Sequence, residues 1–334
     1  MDRFPTILVT GATGAVGPYV VTALHEAGYR IRTLSMDSPP AGQWPDGIEA
    51  RMGDITDPAA VESAVQGVQG VIHMAALLHL VNPPPELQKT YERINVEGTA
   101  TVVEAARHAG ARRLVFFSTI AVYGASAGRV LTEESPTLPD TFYAHTKLDA
   151  EGIVLAAKQN NGNPLGTVLR LGAVYGARIK GNYQRLLHAV ERGRFLPVGP
   201  GDNRRTLVYD RDVARAALLA LEHPEAAGKI FNVSDGAFHR LNDIIAAMCW
   251  ALGRRPPGVS LPTGPVRFVA GIVEDAAGLM GFTPLITRAA IDKYTEDIAV
   301  DSRRIQKEMG FRPLYDLAAG WEETVQDMRR AGRL

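Results

Sequence analysis

The amino-acid sequence predicts an α/β fold: a doubly wound, Rossmann-type parallel sheet with a smaller, mostly helical C-terminal domain. Short β-branched runs alternate with amphipathic helical patterns through the first part of the chain, as repeated strand–helix–strand units require. A glycine-rich turn at residues 11–17 joins the first strand to the first helix. Beyond residue 176 the alternation breaks, and Pro/Gly-rich segments such as 256–265 separate the helical patterns.

The elements of the sheet follow in order from short apolar runs and the turn residues that bound them. Strands are predicted at 6–10, 30–35, 48–54, 70–75, 112–119, 166–172 and 229–234, and helices at 18–28, 57–65, 86–109 and 142–159. The first of these helices ends in a glycine cap, and the second begins with Asp and Pro. Right-handed crossovers between such strands give a parallel sheet covered on both faces.

Composition excludes several classes of partner. The chain has 334 residues with 36 basic and 36 acidic side chains, so bulk charge favours neither nucleic acid nor an anionic membrane. Cys249 is the one cysteine, which excludes an internal disulfide and a Cys-based zinc site and fits a reducing cytoplasm. The eight histidines show no metal-ligand spacing, so no metal is predicted, and His73 is interpreted as a satisfied histidine at a strand end.

The glycine-rich turn has a chemical reason in its spacing. In TILVTGATGAVGPYV, Gly11 permits the tight turn, Gly14 lets the backbone approach a pyrophosphate, and Gly17 lets helix and strand pack closely. The phosphate would then lie at the helix N-terminus, beside Ala15 and Val16. The turn therefore predicts a dinucleotide site.

The break in the alternation of strands and helices suggests how the chain is divided into domains. Residues 1–175 plus about 206–235 are predicted to form the dinucleotide-binding Rossmann domain. About 176–205 and 236–334 are predicted to form the substrate domain, which would lie over the carboxyl ends of the strands, where open α/β sheets bind ligands.

The G-x-x-G-x-x-G spacing resembles the short-chain dehydrogenase/reductase superfamily, and further motifs resemble its extended branch. Asp54 and Ile55 lie in GDITD, whose carboxylate contacts adenine in that superfamily, and Ala75 and Ala76 end HMAA, where small residues line the cofactor. Asn95 lies in INVEGT, a segment typical of the extended branch, as is GFRPLYDLAAGWEETVQDMRR at 310–330. The resemblance covers nearly the whole chain and implies an NAD(P)-dependent nucleotide-sugar epimerase/dehydratase.

The choice between NAD and NADP depends on the end of the second strand. An acidic residue there would bind the adenosine ribose, but the position is Ser35, which has no charge to repel a 2′-phosphate. Asp37 could reach a ribose or be a loop aspartate, and Arg32 could bind a phosphate or be solvated. We predict NAD from the fold branch and leave NADP open.

Two side chains on one helix are the predicted acid–base pair. Tyr143 and Lys147 are four residues apart, which places them on one helix face. A lysine ammonium favours the phenolate, so the pKa of Tyr143 is predicted to fall from its usual value of about 10. Such a tyrosine can accept a proton from a sugar hydroxyl or return it to a carbonyl. In the superfamily the lysine also contacts the nicotinamide ribose.

The strand end FFSTIAVYG completes the catalytic set. By resemblance, Thr119 is the hydroxyl that binds the oxygen whose proton Tyr143 handles. Ser118 points to the other side of the strand and is predicted to bond nearby backbone or the cofactor. The similar nucleotide-sugar 4,6-dehydratases carry Asp-Glu directly after the threonine. Ile120 and Ala121 stand there in this chain and cannot transfer a proton, which argues against dehydration.

The substrate segment is LRLGAVYGARIKGNYQRLL. Lys180 and Asn182 precede a helix predicted to start near Tyr183, and a helix N-terminus plus a lysine suits a diphosphate. Arg205 matches the position where relatives bind the diphosphate of a UDP-sugar; the alternative is that Arg204 and Arg205 are a solvated loop pair. Ala173 replaces the Asn of many epimerases, and K-G-N-Y resembles a subgroup with UDP-N-acetylhexosamine 4-epimerases and 4-keto reductases.

The resemblance thus implies a cytoplasmic UDP-sugar 4-epimerase, with an NADPH-dependent 4-keto reductase as the alternative. A third hypothesis, a non-catalytic dinucleotide-sensing protein, is disfavoured by the intact catalytic set. Helices at 86–109 and 142–159 imply a homodimer by the same resemblance. The predicted cofactor-binding residues are Gly11, Gly14, Ala15, Val16, Gly17, Ser35, Asp54, Ile55, Ala75, Ala76, Asn95, Ser118, Tyr143 and Lys147, and the predicted substrate-binding residues are Thr119, Tyr143, Lys180, Asn182 and Arg205.

Overall fold

A seven-stranded parallel sheet forms the centre of the computed structural model, which describes residues 5–39, 42, 44–78, 80, 83–280 and 287–334. The strands are β1 (Thr6–Thr10), β2 (Arg30–Ser35), β3 (Glu49–Met52), β4 (Gly70–His73), β5 (Arg113–Thr119), β6 (Gly166–Leu171), β7 (Ala173–Tyr175), β8 (Arg204–Arg205), β9 (Leu207–Tyr209), β10 (Ile230–Val233) and β11 (His239–Arg240). The order in the sheet is β10-β6-β5-β4-β1-β2-β3. The chain therefore winds in both directions from β1, and the predicted doubly wound, Rossmann-type class is confirmed.

The helices lie between these strands and beyond them. They are α1 (Gly17–Glu26), α2 (Pro58–Val65), α3 (Gln88–Tyr91), α4 (Gly98–His108), α5 (Phe142–Ala156), α6 (Asn182–Glu191), α7 (Asp210–Glu222), α8 (Leu241–Ala251), α9 (Thr263–Met280), α10 (Arg288–Thr295), α11 (Arg303–Met309) and α12 (Leu317–Arg330). The helix predicted at 86–109 is divided, because a π-helical segment at Glu92–Glu97 separates α3 from α4. Such segments are frequent at functional sites.

Both faces of the sheet are buried, as a parallel sheet requires. Successive residues of a strand point to opposite faces, so Leu8 and Phe116 pack in the core on the side of α2, α4 and α5. Val9 and Val115 pack in the core on the other side, with α1 and α7. The two cores fix the carboxyl ends of β1, β4 and β5 at one edge of the sheet, where the predicted site residues lie.

The C-terminal region is mostly helical, as predicted. The short pairs β7–β9 and β8–β11 lie outside the central sheet, together with α6 and α8–α12. A third core holds this region together, and in it the rings of Tyr175 and Trp321 stack with their centroids 4.7 Å apart. The exact division of the chain into two domains stays a prediction.

Asp210, the first residue of α7, is a carboxylic acid with no solvent exposure. It packs so closely under Gly176 that a Cβ at that glycine would lie 2.0 Å from Asp210 Oδ2. Burial raises the pKa of Asp210 to about 7, although the backbone N–H of Arg211 and the guanidinium groups of Arg211 and Arg178 lower it. The unfolded chain loses this proton at about pH 3.9, so the folded protein becomes less stable as pH rises from there to about 7.

We expect Asp210→Asn to remove this pH dependence, because the amide cannot ionise. The free energy of unfolding of the variant should exceed that of the wild type at about pH 8, by up to about 4 kcal/mol, and match it near pH 4. Denaturant titrations at both pH values measure this. Asp202→Asn, on an exposed carboxylate, should behave as the wild type. An Asp210→Asn protein with the wild-type pH dependence would contradict the assignment.

Candidate active site

The glycine loop has the geometry of a phosphate-binding turn. Gly11 has a φ of +72°, and a Cβ there would lie 2.8 Å from the backbone of Ala75. A Cβ at Gly17 would lie 2.0 Å from the carbonyl oxygen of Ala12, so α1 can start this close to the loop only at a glycine. Val16, at the N-cap of α1, makes no side-chain cap bond. The first N–H groups of α1 are therefore suited to an anion.

The end of β2 lies beside this loop. The buried Ser35 accepts a hydrogen bond at Oγ from the backbone N–H of Thr13 at 3.4 Å. Arg32 is not solvated, since only 14% of its side chain is exposed, so that alternative is wrong, and its contact with a phosphate stays a prediction. Its Nε donates to Glu49 at 2.6 Å, and its Nη1 donates to carbonyl oxygens 2.9 and 2.7 Å away in α2 and just beyond it. Asp37 is exposed.

The residues predicted to contact adenine and to line the cofactor lie just after β3 and β4. Asp54 is half-buried, and its Oδ1 accepts from the N–H of Thr56 at 2.9 Å. The side chain of Ile55 is buried in the core beside α4, so any contact it makes with a cofactor comes from its backbone. Ala75 donates its N–H to Oγ1 of Thr10 at 3.3 Å.

The side-chain amide of Asn95 forms hydrogen bonds within the protein that the sequence did not predict. Its Oδ1 accepts from the N–H of Leu77 at 2.8 Å, and its Nδ2 donates to the carbonyl of Leu77 and to Oγ1 of Thr146, each at 3.1 Å. The amide is therefore bonded within the protein, and its contact with the cofactor stays a prediction. Asn95 instead ties the segment after β4 to α5. Thr146 was missed, because a threonine on a helix gives no sequence signal of this contact.

Tyr143 and Lys147 project from the first two turns of α5. The helix starts early enough to include both, since the hydroxyl of Thr141 caps the N–H of Ala144 at 3.2 Å. Lys147 is 2% exposed, and its Nζ lies 4.0 Å from the ring centroid of Phe116 on β5. The predicted pair therefore stands against the strand that ends in Thr119.

Thr119 is the last residue of β5 and is half-buried. Its Oγ1 accepts from the N–H of Ala121 at 3.2 Å and so caps the single 3₁₀ turn Ile120–Tyr123. Because this oxygen already accepts a bond, its hydroxyl hydrogen remains to be donated to a substrate oxygen bound at the strand end.

The pKa values of the pair differ from the sequence prediction. Burial raises the pKa of Tyr143, and the nearby Tyr91 raises it further. Burial lowers the pKa of Lys147 to about 7, although the charge of Glu151 raises it. The predicted fall of the tyrosine pKa is therefore wrong for this structure: the sequence shows the lysine but not the burial, which here has the larger effect.

Ser118 forms a hydrogen bond that the sequence did not predict. Its hydroxyl donates to Oε1 of Glu151 at 2.5 Å, and both residues are buried. It bonds a side chain and not the backbone, because alternation along β5 turns it towards α5, where an acid lies within reach, and its contact with the cofactor stays a prediction. Sequence reasoning missed Glu151, although its position four residues after Lys147, on the same helix face, was a usable signal.

Two of the predicted substrate residues, Lys180 and Asn182, lie at the start of α6. The helix starts at Asn182, and Gly181 at its N-cap makes no side-chain cap bond. A cavity of about 100 Å³ lies at this helix end, and its lining includes Lys180, Asn182, Tyr183 and Trp321. The helix N-terminus and Lys180 are thus brought together as predicted.

The two arginines of β8 are not a solvated pair, so that alternative is wrong. Arg204 forms an ion pair with Asp297 at 2.7 Å and donates to the carbonyl of Gly128 at 2.8 Å. Arg205 donates from Nη2 to the carbonyls of Lys293 and Tyr294 at 2.6 and 2.9 Å. These bonds orient the Arg205 guanidinium, and its contact with a diphosphate stays a prediction.

The likeness to known proteins extends over the whole chain. Residues 7–234 match the NAD dependent epimerase/dehydratase family, and the chain belongs to that family. It is similar to UDP-glucose 4-epimerase of Vibrio cholerae (26% identical; 98% of this chain and 96% of that protein) and to short-chain dehydrogenase/reductase family 42E member 1 of Mus musculus (30%; 93% and 85%). The crystal structure of MoeE5 in complex with UDP-glucose and NAD matches with a TM-score of 0.77 and 26% identity over 98% of this chain and 99% of that one. The predicted family and its NAD dependence are confirmed.

Metal ligands and membrane-spanning helices are both missing from the part of the chain that the structure describes. No group of three or more metal-ligating side chains lies together among the described residues. Within the same ranges, no helix has both the length and the apolar character needed to cross a membrane.

Proposed function

We propose that this protein is an NAD(P)-dependent UDP-sugar 4-epimerase that removes and returns a hydride and a proton at C4 of the sugar. The observation that carries the proposal is the packing of α5, which bears Tyr143 and Lys147, against β5, which ends in Thr119, with no proton-transferring group in the two residues after Thr119. The family membership supports the class of reaction.

The described residues fit a dinucleotide. A cradle that a Cβ would fill at Gly11 and Gly17, with the uncapped start of α1, suits the pyrophosphate. When bound, NAD would accept a hydride from a sugar carbon and supply it again. In this proposal the residues that hold it are Gly11, Gly14, Ala15, Val16, Gly17, Ser35, Asp54, Ala75, Ala76 and Lys147, with Ile55 contributing its backbone.

Proton transfer is assigned to Tyr143. It accepts the proton of the C4 hydroxyl as that carbon becomes a ketone and returns it when the alcohol forms on the other face. Thr119 donates its hydroxyl hydrogen to the same oxygen, since its Oγ1 already accepts from Ala121. Lys147 stands one turn from Tyr143, and in its ammonium form it stabilises the phenolate.

The turn after Thr119 limits the chemistry to one carbon. Ile120 is buried in a small apolar cluster, and Ala121 has no ionisable group. Elimination of water from the neighbouring carbon needs an acid and a base beside the hydroxyl. The structure supplies hydrocarbon at those two positions, which favours epimerisation over dehydration.

The nucleotide part of the substrate is assigned to the C-terminal region. Lys180 and the N-terminus of α6 at Asn182 would hold the diphosphate, with the oriented guanidinium of Arg205. The names of the Vibrio cholerae relative and of the MoeE5 complex, which mention UDP-glucose, support a UDP-sugar.

The second candidate is a 4-keto-sugar reductase that uses NADPH. Ser35 favours it, because an uncharged residue at the end of β2 leaves room for a 2′-phosphate without repulsion. A homodimer through α4 and α5 and a cytoplasmic location are part of the proposal.

Mass spectrometry of ligands released from the purified protein tests the cofactor and the substrate class together. We expect NAD that remains bound through purification, and interconversion of C4 epimers when a panel of UDP-hexoses and UDP-N-acetylhexosamines is added. Protein that binds NADPH in free exchange and oxidises it with a 4-keto sugar would support the reductase instead. Protein that binds the dinucleotide and turns over neither substrate class would leave only a sensing role.

A further inference from the structure

Glu151 of α5 is a buried acid outside the catalytic set. It is 2% exposed and forms an ion pair with Arg170 of β6, which is 3% exposed. Nε of Arg170 lies 3.0 and 3.1 Å from the two carboxylate oxygens of Glu151, and Nη2 lies 2.6 Å from Oε2. Ser118 donates a further hydrogen bond to this carboxylate. A buried pair with this many bonds is fixed in position.

The position of this carboxylate is what relates it to the reaction. Tyr143, Lys147 and Glu151 follow one another at four-residue intervals and share one face of α5. The facing strand contacts the same helix face twice, through Phe116 at Lys147 and through Ser118 at Glu151. Thr119 is the next residue of that strand, so the bond from Ser118 fixes the strand end against the helix that carries the acid–base pair.

Arg170, the ion-pair partner of Glu151, also contacts the 3₁₀ turn that follows Thr119. The guanidinium of Arg170 stacks over the ring of Tyr123, 4.7 Å from its centroid. Tyr123 ends the 3₁₀ turn and donates its hydroxyl to Oδ1 of Asn232 on β10 at 2.8 Å. The Glu151 carboxylate thus joins α5, β5 and β6, and Arg170 and Tyr123 extend these contacts to the 3₁₀ turn and β10.

We propose that Glu151 is a positioning residue for proton transfer at Tyr143: held by Ser118 and Arg170, it keeps a fixed negative charge one turn from Lys147 and locks the Thr119 strand end to α5. The catalytic consequence of this proposal rests on the proposed function, but the effect of Glu151 on Lys147 can be measured without a substrate. Glu151 acts through Lys147 and Ser118 and does not itself transfer a proton.

The charges around Lys147 leave Glu151 as the group that favours the ammonium. His73 of β4 is neutral at ordinary pH, since burial and the charge of Lys147 lower its pKa to about 3, and its two ring nitrogens are bonded to Thr10 and Thr99. Tyr143 is uncharged when protonated, and Arg170 is positive. Burial brings the pKa of Lys147 to about 7. Near neutral pH, a change in the nearby charge therefore has its largest effect on the protonated fraction of this lysine.

The test is the titration of Lys147, followed by NMR of the side-chain 13Cε signals in lysine-labelled protein and assigned with Lys147→Arg. We expect the Lys147 midpoint to fall by about one pH unit or more in Glu151→Gln, because the unpaired Arg170 charge adds to the loss of the carboxylate. It should fall less in the double variant Glu151→Gln/Arg170→Gln, which also avoids an uncompensated buried charge if the single variant does not fold. Asp149→Asn, on the exposed side of α5, should titrate as the wild type.

Kinetics separate positioning from folding. In the folded double variant, turnover near neutral pH should fall at least about tenfold with little change in KM, since the nucleotide contacts lie elsewhere. Compared with Glu151→Gln, the Glu151→Asp variant should have a Lys147 midpoint and a turnover closer to those of the wild type. A wild-type Lys147 titration in the folded double variant would overturn the proposal. A shifted titration in protein that turns over no UDP-sugar would uphold it and count against the proposed function alone.

Discussion

Tyr143→Phe is expected to reduce turnover by about 10²- to 10⁴-fold, the contribution usual for a positioned acid–base group. The variant removes one oxygen and leaves the ring, which packs at the start of α5. Of the two other members of the catalytic set, Thr119 is a poor base and Lys147 lies one turn further along α5, so neither is expected to take the place of the phenol oxygen. Steady-state rates on the substrate found by ligand mass spectrometry give the measurement.

A tyrosine outside the site serves as the matched control. Tyr29 donates its hydroxyl to Glu222 at the end of α7, and Tyr29→Phe should keep wild-type turnover. NAD affinity should stay within a few-fold of wild type in both variants, because the hydroxyl acts on the sugar oxygen. Wild-type turnover in Tyr143→Phe would show that proton transfer at C4 belongs to another group.

Gly17→Val is expected to abolish cofactor binding. The added Cβ would meet the carbonyl oxygen of Ala12 at 2.0 Å, a backbone atom that cannot rotate away. The start of α1 would have to move from the loop, and with it the N–H groups proposed to bind pyrophosphate. We expect NAD affinity to fall at least about 100-fold, which is about 2.7 kcal/mol, and the free energy of unfolding to fall by about 3 kcal/mol.

Calorimetric titration with NAD and denaturant unfolding measure the two effects separately. Gly152→Ala is the control, since Gly152 lies within α5 and a Cβ there meets nothing within 4 Å. That variant should bind NAD as the wild type does and gain up to about 1 kcal/mol in stability. A folded Gly17→Val protein with wild-type NAD affinity would show that the loop is a plain turn.

Local pattern was enough for the sheet and for placing Tyr143 and Lys147 on one helix. The strand predicted at 30–35 is the observed β2, and those at 48–54 and 70–75 differ from β3 and β4 only in their ends. Tyr143 and Lys147 were found because helical spacing places them together without any knowledge of the fold. The direction of their pKa values was not found, because burial depends on residues far away in the chain.

Long-range contacts account for the other differences. Ser118 and Glu151 are separated by 33 residues, and Arg204 and Asp297 by 93, so no local pattern pairs them. Arg32 was weighed as a phosphate ligand because its strand neighbour Glu49 is not visible from spacing alone. In each case a polar residue assigned to a ligand or to solvent is bonded to a partner within the protein, as buried polar groups generally are.

The central claim is reversible hydride and proton transfer at one carbon of a UDP-sugar. The most direct measurement uses a UDP-hexose deuterated at C4, incubated with the purified enzyme and followed by NMR and mass spectrometry. We predict that the two C4 epimers equilibrate without added NADPH and that deuterium stays at C4 of both, because the same hydride is removed and returned. Loss of the 6-hydroxyl as water, or a change at C4 only when NADPH is supplied, would contradict the account.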